Sequence, residues 1–212
     1  MLAGLVTHCV ISNNVVHGGW GSYNDPYAAG VRISGGRLEN CLVVGNRTAG
    51  FDDPAQNRIF VGGVHVSGSG SVVNCTIAGN NRSNVYGGVH TSGAGSVINC
   101  VIAGNNVTNT TITALDNPNA AWGGNASLFS HCVLDTAAPI NGDCFAASAE
   151  MLFKNPAEAN FRLRSGSPAI NNGTEVSTSA TDLDGNPRVF GKSIDIGCYE
   201  LQHAAGTLLM VR

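Results

Sequence analysis

Charge is scarce in this 212-residue chain: Asp, Glu, Lys and Arg make up only 12% of it, and lysine occurs just twice, at Lys154 and Lys192. With a net charge of -3 there is no basic field, which excludes a nucleic-acid partner. Aromatic residues are few at 6%, and long helical runs of Ala, Leu, Glu and Lys are missing. No stretch approaches the roughly 20 apolar residues of a transmembrane helix, so no membrane span is expected. The opening MLAGLVTHCVISNN lacks the basic region and cleavage site of a signal peptide. No two cysteines stand in CxxC spacing, which removes the common zinc and dithiol motifs.

What fills the chain instead is glycine, at 28 residues, with much Asn, Ser, Thr and Val. That is the vocabulary of short strands and tight turns, and it points to an all-β protein.

One phrase is written twice, GGVHVSGSGSVVNCTIAGNN from Gly62 to Asn81 and GGVHTSGAGSVINCVIAGNN from Gly87 to Asn106, with 16 of 20 positions identical. Weaker copies surround Cys9, Cys41 and Cys132. In the four complete copies an Asn (14, 46, 80 or 105) follows the Cys by five residues, while successive cysteines are 32, 34, 25 and 32 apart. A fixed phrase with variable connectors marks a solenoid. Alternation in Gly63-Val64-His65-Val66-Ser67 and Cys75-Thr76-Ile77 gives strands with one inward face. Val72 and Cys75 both suit the core yet stand three apart, so the chain must bend at Asn74, a residue that tolerates the left-handed conformation. Further corners fall at Gly79-Asn80 and at the Gly-Gly pair. Three strands and three corners per turn make a parallel β-helix of about six or seven turns, in which Val31, Val64 and Val89 stack, as do the cysteines and the asparagines.

The expected layout is β-helix repeats over 1–137, final turns and a C-terminal cap over 138–200, and a tail over 201–212. The first turn begins mid-phrase with an open strand edge, which predicts a truncated piece of a longer chain. Five cysteines share one repeat position. Free buried thiols acting as small apolar groups are favoured over bridges there, while Cys144 and Cys198 fall outside the column and are left free to pair.

Beyond Cys132 a second pattern begins, with Phe153-Lys154-Asn155-Pro156, Asn160-Phe161-Arg162-Leu163, Ser167-Pro168-Ala169-Ile170-Asn171-Asn172-Gly173, Asp182-Leu183-Asp184-Gly185-Asn186-Pro187-Arg188 and Asp195-Ile196-Gly197-Cys198-Tyr199-Glu200. Together with the GGV and NC phrases, these residues resemble bacterial surface proteins of the choice-of-anchor Q type. The resemblance covers nearly the whole chain. It implies a right-handed, pectate-lyase-like parallel β-helix that is secreted or held at the cell surface, and it implies no settled reaction. Asn160 and Asn171 stand where that pattern has Asp, and Cys198 where it has Ala.

Asp182 and Asp184 form a weak calcium candidate in an acidic, glycine-containing loop. They lack an EF-hand's closing Glu and its helices, so a plain turn held by Asx hydrogen bonds is the expectation, with no cofactor. Arg188 is expected to pair with Asp195 or Glu200.

Function is left to the connectors. Val15 to Ala29, Arg47 to Val61 and Val107 to Trp122 are long, Arg82 to Tyr86 is short, and all leave one corner. They carry seven of the 13 aromatic residues: Trp20, Tyr23, Tyr27, Phe51, Phe60, Tyr86 and Trp122. These are the candidate binding residues for a polysaccharide, whose sugars stack on rings and bond to planar polar groups. Arg32, His65 and His90 are expected outward in a column beside them, with Ser34, Ser67 and Ser92 following. If the groove were catalytic, Arg32 or Arg58 would offset a uronate carboxylate and His65 or His90 would take the proton. Hydrolysis would instead draw paired carboxylates from Asp25, Asp52 and Asp53. Because the histidines are copied along with the repeat, plain surface residues are the simpler reading. The expectation is a monomeric, glycan-contacting or structural module without catalysis, with a polysaccharide lyase or glycoside hydrolase as the alternative.

Overall fold

The computed structural model describes residues 4–17, 27–49, 60–82, 86–107, 122–135, 143–176 and 179–202. Its strands are short, and most stack in four parallel sheets, an all-β solenoid. A two-stranded parallel pair lies beside the coil, and an antiparallel pair, Phe153–Asn155 with Asn160–Leu163, lies in the C-terminal segment. In chain order around one turn, the first sheet holds Val31–Ile33, Val64–Val66, Val89–Thr91 and Trp122–Gly124. The second holds Leu5–Thr7, Arg37–Glu39, Ser71–Val73, Ser96–Ile98 and Phe129–Ser130. The third, with six strands, holds Val10–Ser12, Leu42–Val44, Thr76–Ala78, Val101–Ala103, Val133–Leu134 and Phe145–Ala146. The fourth holds Val15–His17, Arg47–Ala49, Asn81–Arg82 and Asn106–Val107. A turn thus has four strands where three are expected. The extra corner is Ser67–Gly70, where Gly68 takes φ +54°.

The other corners follow the sequence. The residue before each repeat cysteine is left-handed: His8, Asn40, Asn74, Asn99 and His131 have φ between 48° and 53°. Gly45, Gly79 and Gly104 turn the next corner with φ of 60° to 68°, and Asn13 does so in the first turn. At the Gly-Gly corner, successive backbones nearly touch. A Cβ on Gly63 would stand 2.4 Å from the Gly88 carbonyl, so only glycine fits.

Register is unbroken from turn to turn. Val31, Val64, Val89 and Trp122 form one inward column, Leu38, Val72, Val97 and Phe129 another, and Val43, Ile77, Ile102 and Leu134 a third. Cys41, Cys75, Cys100 and Cys132 complete a core in which nearly every side chain is sealed from water. The Val and Leu columns end in rings: Trp122 and Phe129 meet edge to face at 5.4 Å in the last full turn.

The asparagines make a continuous ladder. The Asn14, Asn46 and Asn80 amides donate to the Oδ1 of the next Asn at 2.8 to 3.0 Å. Their backbone N–H groups reach the same oxygens at 3.0 Å. The second amide hydrogens of Asn46, Asn80 and Asn105 go to the carbonyls of Ile11, Val43 and Ile77 at 2.9 to 3.0 Å. Polar groups at a buried corner are thereby satisfied. Asn46 is fully buried in this ladder.

The C-terminal segment does not cross the end of the coil as a cap. It lies along the flank, over the outer face of the third sheet. There Leu42, Ala78, Val101, Ala103 and Val133 pack against Leu152, Phe153, Phe161, Leu163, Ala169, Ile196 and Tyr199. Thr76 Oγ1 accepts from the Cys198 N–H at 3.1 Å, Asn99 is bonded by Thr174, and Asn40 and His8 both reach the Thr181 carbonyl. The segment therefore runs back from the fifth turn to the first. A sheet covered on both faces carries apolar residues at both parities, as LVV, TIA and VIA do here.

The segment has its own buried polar frame. Asp182 accepts from the N–H groups of Asn186 and Glu200 at 2.8 Å, and Asp195 from those of Asn171 and Leu201 at 2.8 and 2.7 Å. Glu200 accepts from Phe190 and Asp195 at 3.1 and 3.0 Å. Arg188 Nη2 donates to the Asp195 and Gly197 carbonyls at 2.9 and 2.6 Å, so its brace is to backbone where carboxylate pairing is expected. Asn171, in place of Asp, still supplies an oxygen to the N–H groups of Lys192 and Ser193.

Candidate functional site

The first sheet's outer face carries Arg32, His65 and His90 in register, with Gly123 next in the column. Only Arg32 lies at the surface. His65 is 0% exposed and His90 5%, which overturns the expectation of an outward histidine pair. The cause is Tyr86. Its ring stacks on His90 at 4.8 Å and fills the space that any side chain at Gly123 would need. The two imidazoles lie 5.4 Å apart, and His65 Nε2 shares a 2.8 Å hydrogen bond with the Ser92 hydroxyl at the surface. Burial, aided by the neighbouring His65, lowers the His90 pKa from 6.5 to about 4, so it is neutral at pH 7. Imidazoles buried to this extent do not meet a substrate proton, and the two histidines form a packed seam.

The aromatic wall is likewise corrected in part. Phe60 and Tyr86 are 2% and 7% exposed, and Trp122 belongs to the inward valine column, half-buried against the core. These three rings are structural. The spacing to the cysteine was the signal for Trp122, which precedes Cys132 by ten residues as Val31 precedes Cys41. Trp122-Gly123-Gly124 thus takes the place of Val89-His90-Thr91, and its glycine pair is not the Gly-Gly corner. Tyr27 pairs with Phe60 in a short parallel bridge where the chain rejoins the coil. Trp20, Tyr23, Phe51, Asp25, Asp52, Asp53 and Arg58 lie outside the described residues.

Sequence reasoning missed a polar depression on the C-terminal segment, lined by Lys154, Arg162, Asp184, Tyr199 and Gln202 among others. Arg162 donates through Nε and Nη2 to the two carboxylate oxygens of Asp184 at 2.6 and 2.7 Å, with its guanidinium 5.0 Å from the centre of the Tyr199 ring. Alternation in Asn160-Phe161-Arg162-Leu163, with Phe161 and Leu163 buried, is the signal that would have aimed Arg162 outward. The same bonds bear on calcium. The Asp182 carboxylate is filled by N–H donors and that of Asp184 by Arg162. Among the described residues no group of three or more His, Cys, Asp or Glu side chains converges on a metal position. No described helix is long and apolar enough to cross a membrane.

The fold and these surfaces define the class only broadly, as an all-β parallel solenoid with a flanking segment. Comparison with protein-family models, curated proteins and solved structures finds no match to this chain.

Proposed function

We propose that the protein is a β-helix display module of the choice-of-anchor Q type, secreted or held at a cell surface, whose connectors contact a glycan without catalysis. The observation that carries this reading is the division of labour around the coil. The repeated polar residues, from the Asn ladder to the Asn99 corner, are used in bracing, and the flanking segment covers the third sheet. The connectors after Val15–His17, Arg47–Ala49, Asn81–Arg82 and Asn106–Val107 leave the fourth sheet and rejoin the coil before the first, so their described ends share one side. They hold Trp20, Tyr23, Tyr27 and Phe51, the rings left for sugar stacking once Phe60, Tyr86 and Trp122 are assigned to packing. The coil itself is proposed to be right-handed with about six turns, because parallel strand connections adopt that hand in about 98% of cases.

The test is a panel of plant, algal and host polysaccharides. Binding by the folded protein, with no new reducing ends and no unsaturated uronates, is expected. Trp20→Ala removes binding and leaves the fold intact. Cleavage of any substrate overturns the non-catalytic reading, and absence of binding across the panel overturns glycan contact and leaves a structural solenoid.

A further inference from the structure

Six cysteines stand in one column inside the coil. Cys41, Cys75, Cys100 and Cys132 are fully buried, and Cys9 and Cys144 are half-buried at its two ends. Cys144 belongs to the column, contrary to the sequence expectation. The Phe145 N–H donates to the Cys132 carbonyl at 3.1 Å, as Val133 does to Cys100 and Val101 to Cys75 at 3.0 Å. All six are free thiols.

The sulfurs also share one orientation. From Cys9 to Cys132 each Sγ donates to the carbonyl two residues before it, those of Thr7, Glu39, Val73, Ile98 and Ser130, at 3.1 to 3.3 Å. Side chains held alike on adjacent parallel strands repeat at about 4.8 Å. A zinc–thiolate sulfur bond is about 2.3 Å, and a linear S–M–S unit with bonds of that order spans about 4.6 Å. These two lengths match. The column offers no four ligands converging on a point, as tetrahedral zinc requires, and no oxygen cage for calcium. Thiolates in a low-coordinate site select soft cations such as Cu(I).

We propose that the thiol column binds a soft monovalent cation of the Cu(I) class, two-coordinate between neighbouring sulfurs, with the first position between Cys9 and Cys41. Binding breaks one S–H bond and forms one S–M bond, and the proton leaves to solvent past half-buried Cys9. The second sulfur coordinates through a lone pair as a neutral thiol. No electron is transferred, and the cation's charge replaces that of the departing proton, so no net charge enters the apolar core. This inference stands apart from the glycan reading, since it uses only the inward face of the coil.

The test is anaerobic titration of the fully reduced protein with Cu(I) held by a chromogenic chelator. Uptake is followed by loss of the chelator complex and by sulfur-to-copper charge-transfer absorption, with X-ray absorption reporting the neighbours. The expected result is uptake of at least one equivalent into a two-sulfur environment, with far-UV circular dichroism unchanged. Cys9→Ser, at the open end, lowers the stoichiometry, whereas Cys198→Ala, outside the column, leaves it unaltered; circular dichroism checks that each variant folds. Failure of the folded protein to take copper from the chelator overturns the proposal, as does equal uptake by folded Cys9→Ser or coordination by nitrogen or oxygen.

Discussion

Asn80 is the place to break the solenoid. Its Oδ1 accepts from the backbone and amide nitrogens of Asn46, both at 3.0 Å, and its amide donates to the Val43 carbonyl and Asn105 Oδ1, also at 3.0 Å. Asn80→Ala removes all four bonds and strands two buried groups, the Asn46 N–H and one Asn46 amide hydrogen, while the Val43 carbonyl stays within the parallel ladder of the third sheet. Asn105 Oδ1 keeps the bond from the Asn80 backbone N–H. At about 1–3 kcal/mol for each buried polar group left without a partner, the loss is about 2–5 kcal/mol after partial relaxation. Asn14 is the internal control. It sits exposed at the open end and its side chain makes one ladder bond, so Asn14→Ala costs about 1 kcal/mol or less. Equilibrium denaturation in urea, followed by circular dichroism, gives both values. Equal losses for the two variants would refute the argument, because the ladder's contribution would then not depend on burial.

The remaining predictions concern backbone, titration and packing. Gly63→Ala drives a Cβ into the Gly88 carbonyl and the Ile77 side chain and costs about 1–3 kcal/mol, measured in the same denaturation experiment. Burial, with help from Asp195, raises the Glu200 pKa from 4.5 to about 7, so the folded state holds a proton that the unfolded state has lost. Its contribution to stability therefore falls as pH rises through that window. The lowered His90 pKa acts the other way: the unfolded state takes the extra proton between pH 6.5 and about 4, so this contribution falls as pH falls. Glu200→Gln should steepen the gain in melting temperature from pH 4.5 to 6.5, His90→Asn should flatten or reverse it, and identical profiles in both variants would contradict the assignments. Asp184→Asn, at a half-exposed ion pair, costs about 1 kcal/mol or less, and added calcium leaves the melting temperature unchanged because both loop carboxylates are already bonded. Trp122→Ala lowers the melting temperature by emptying the inward column, in contrast to Trp20→Ala, which affects only binding.

The repeat by itself determined the solenoid. Its period-2 alternation fixes which residues face inward, and the left-handed positions before each cysteine, with Gly79 and its equivalents, set two of the corners. In-register stacking then follows from repetition alone, which is why the Val, Cys and Asn columns were legible wherever the phrase recurs, and why Trp122 and Cys144, where it does not, were missed. Long-range contacts were not. The lateral seat of the flanking segment depends on pairs such as Thr76 with Cys198 and His8 with Thr181, more than 100 residues apart, and no local pattern encodes which face they meet. The fate of the outward histidines was decided in the same way. Parity correctly takes His65 and His90 out of the core column, but only the folded chain stacks the Tyr86 ring on His90 and buries both imidazoles. Sequence fixes a residue's side of a strand through the pleat, while tertiary structure decides whether that side meets water.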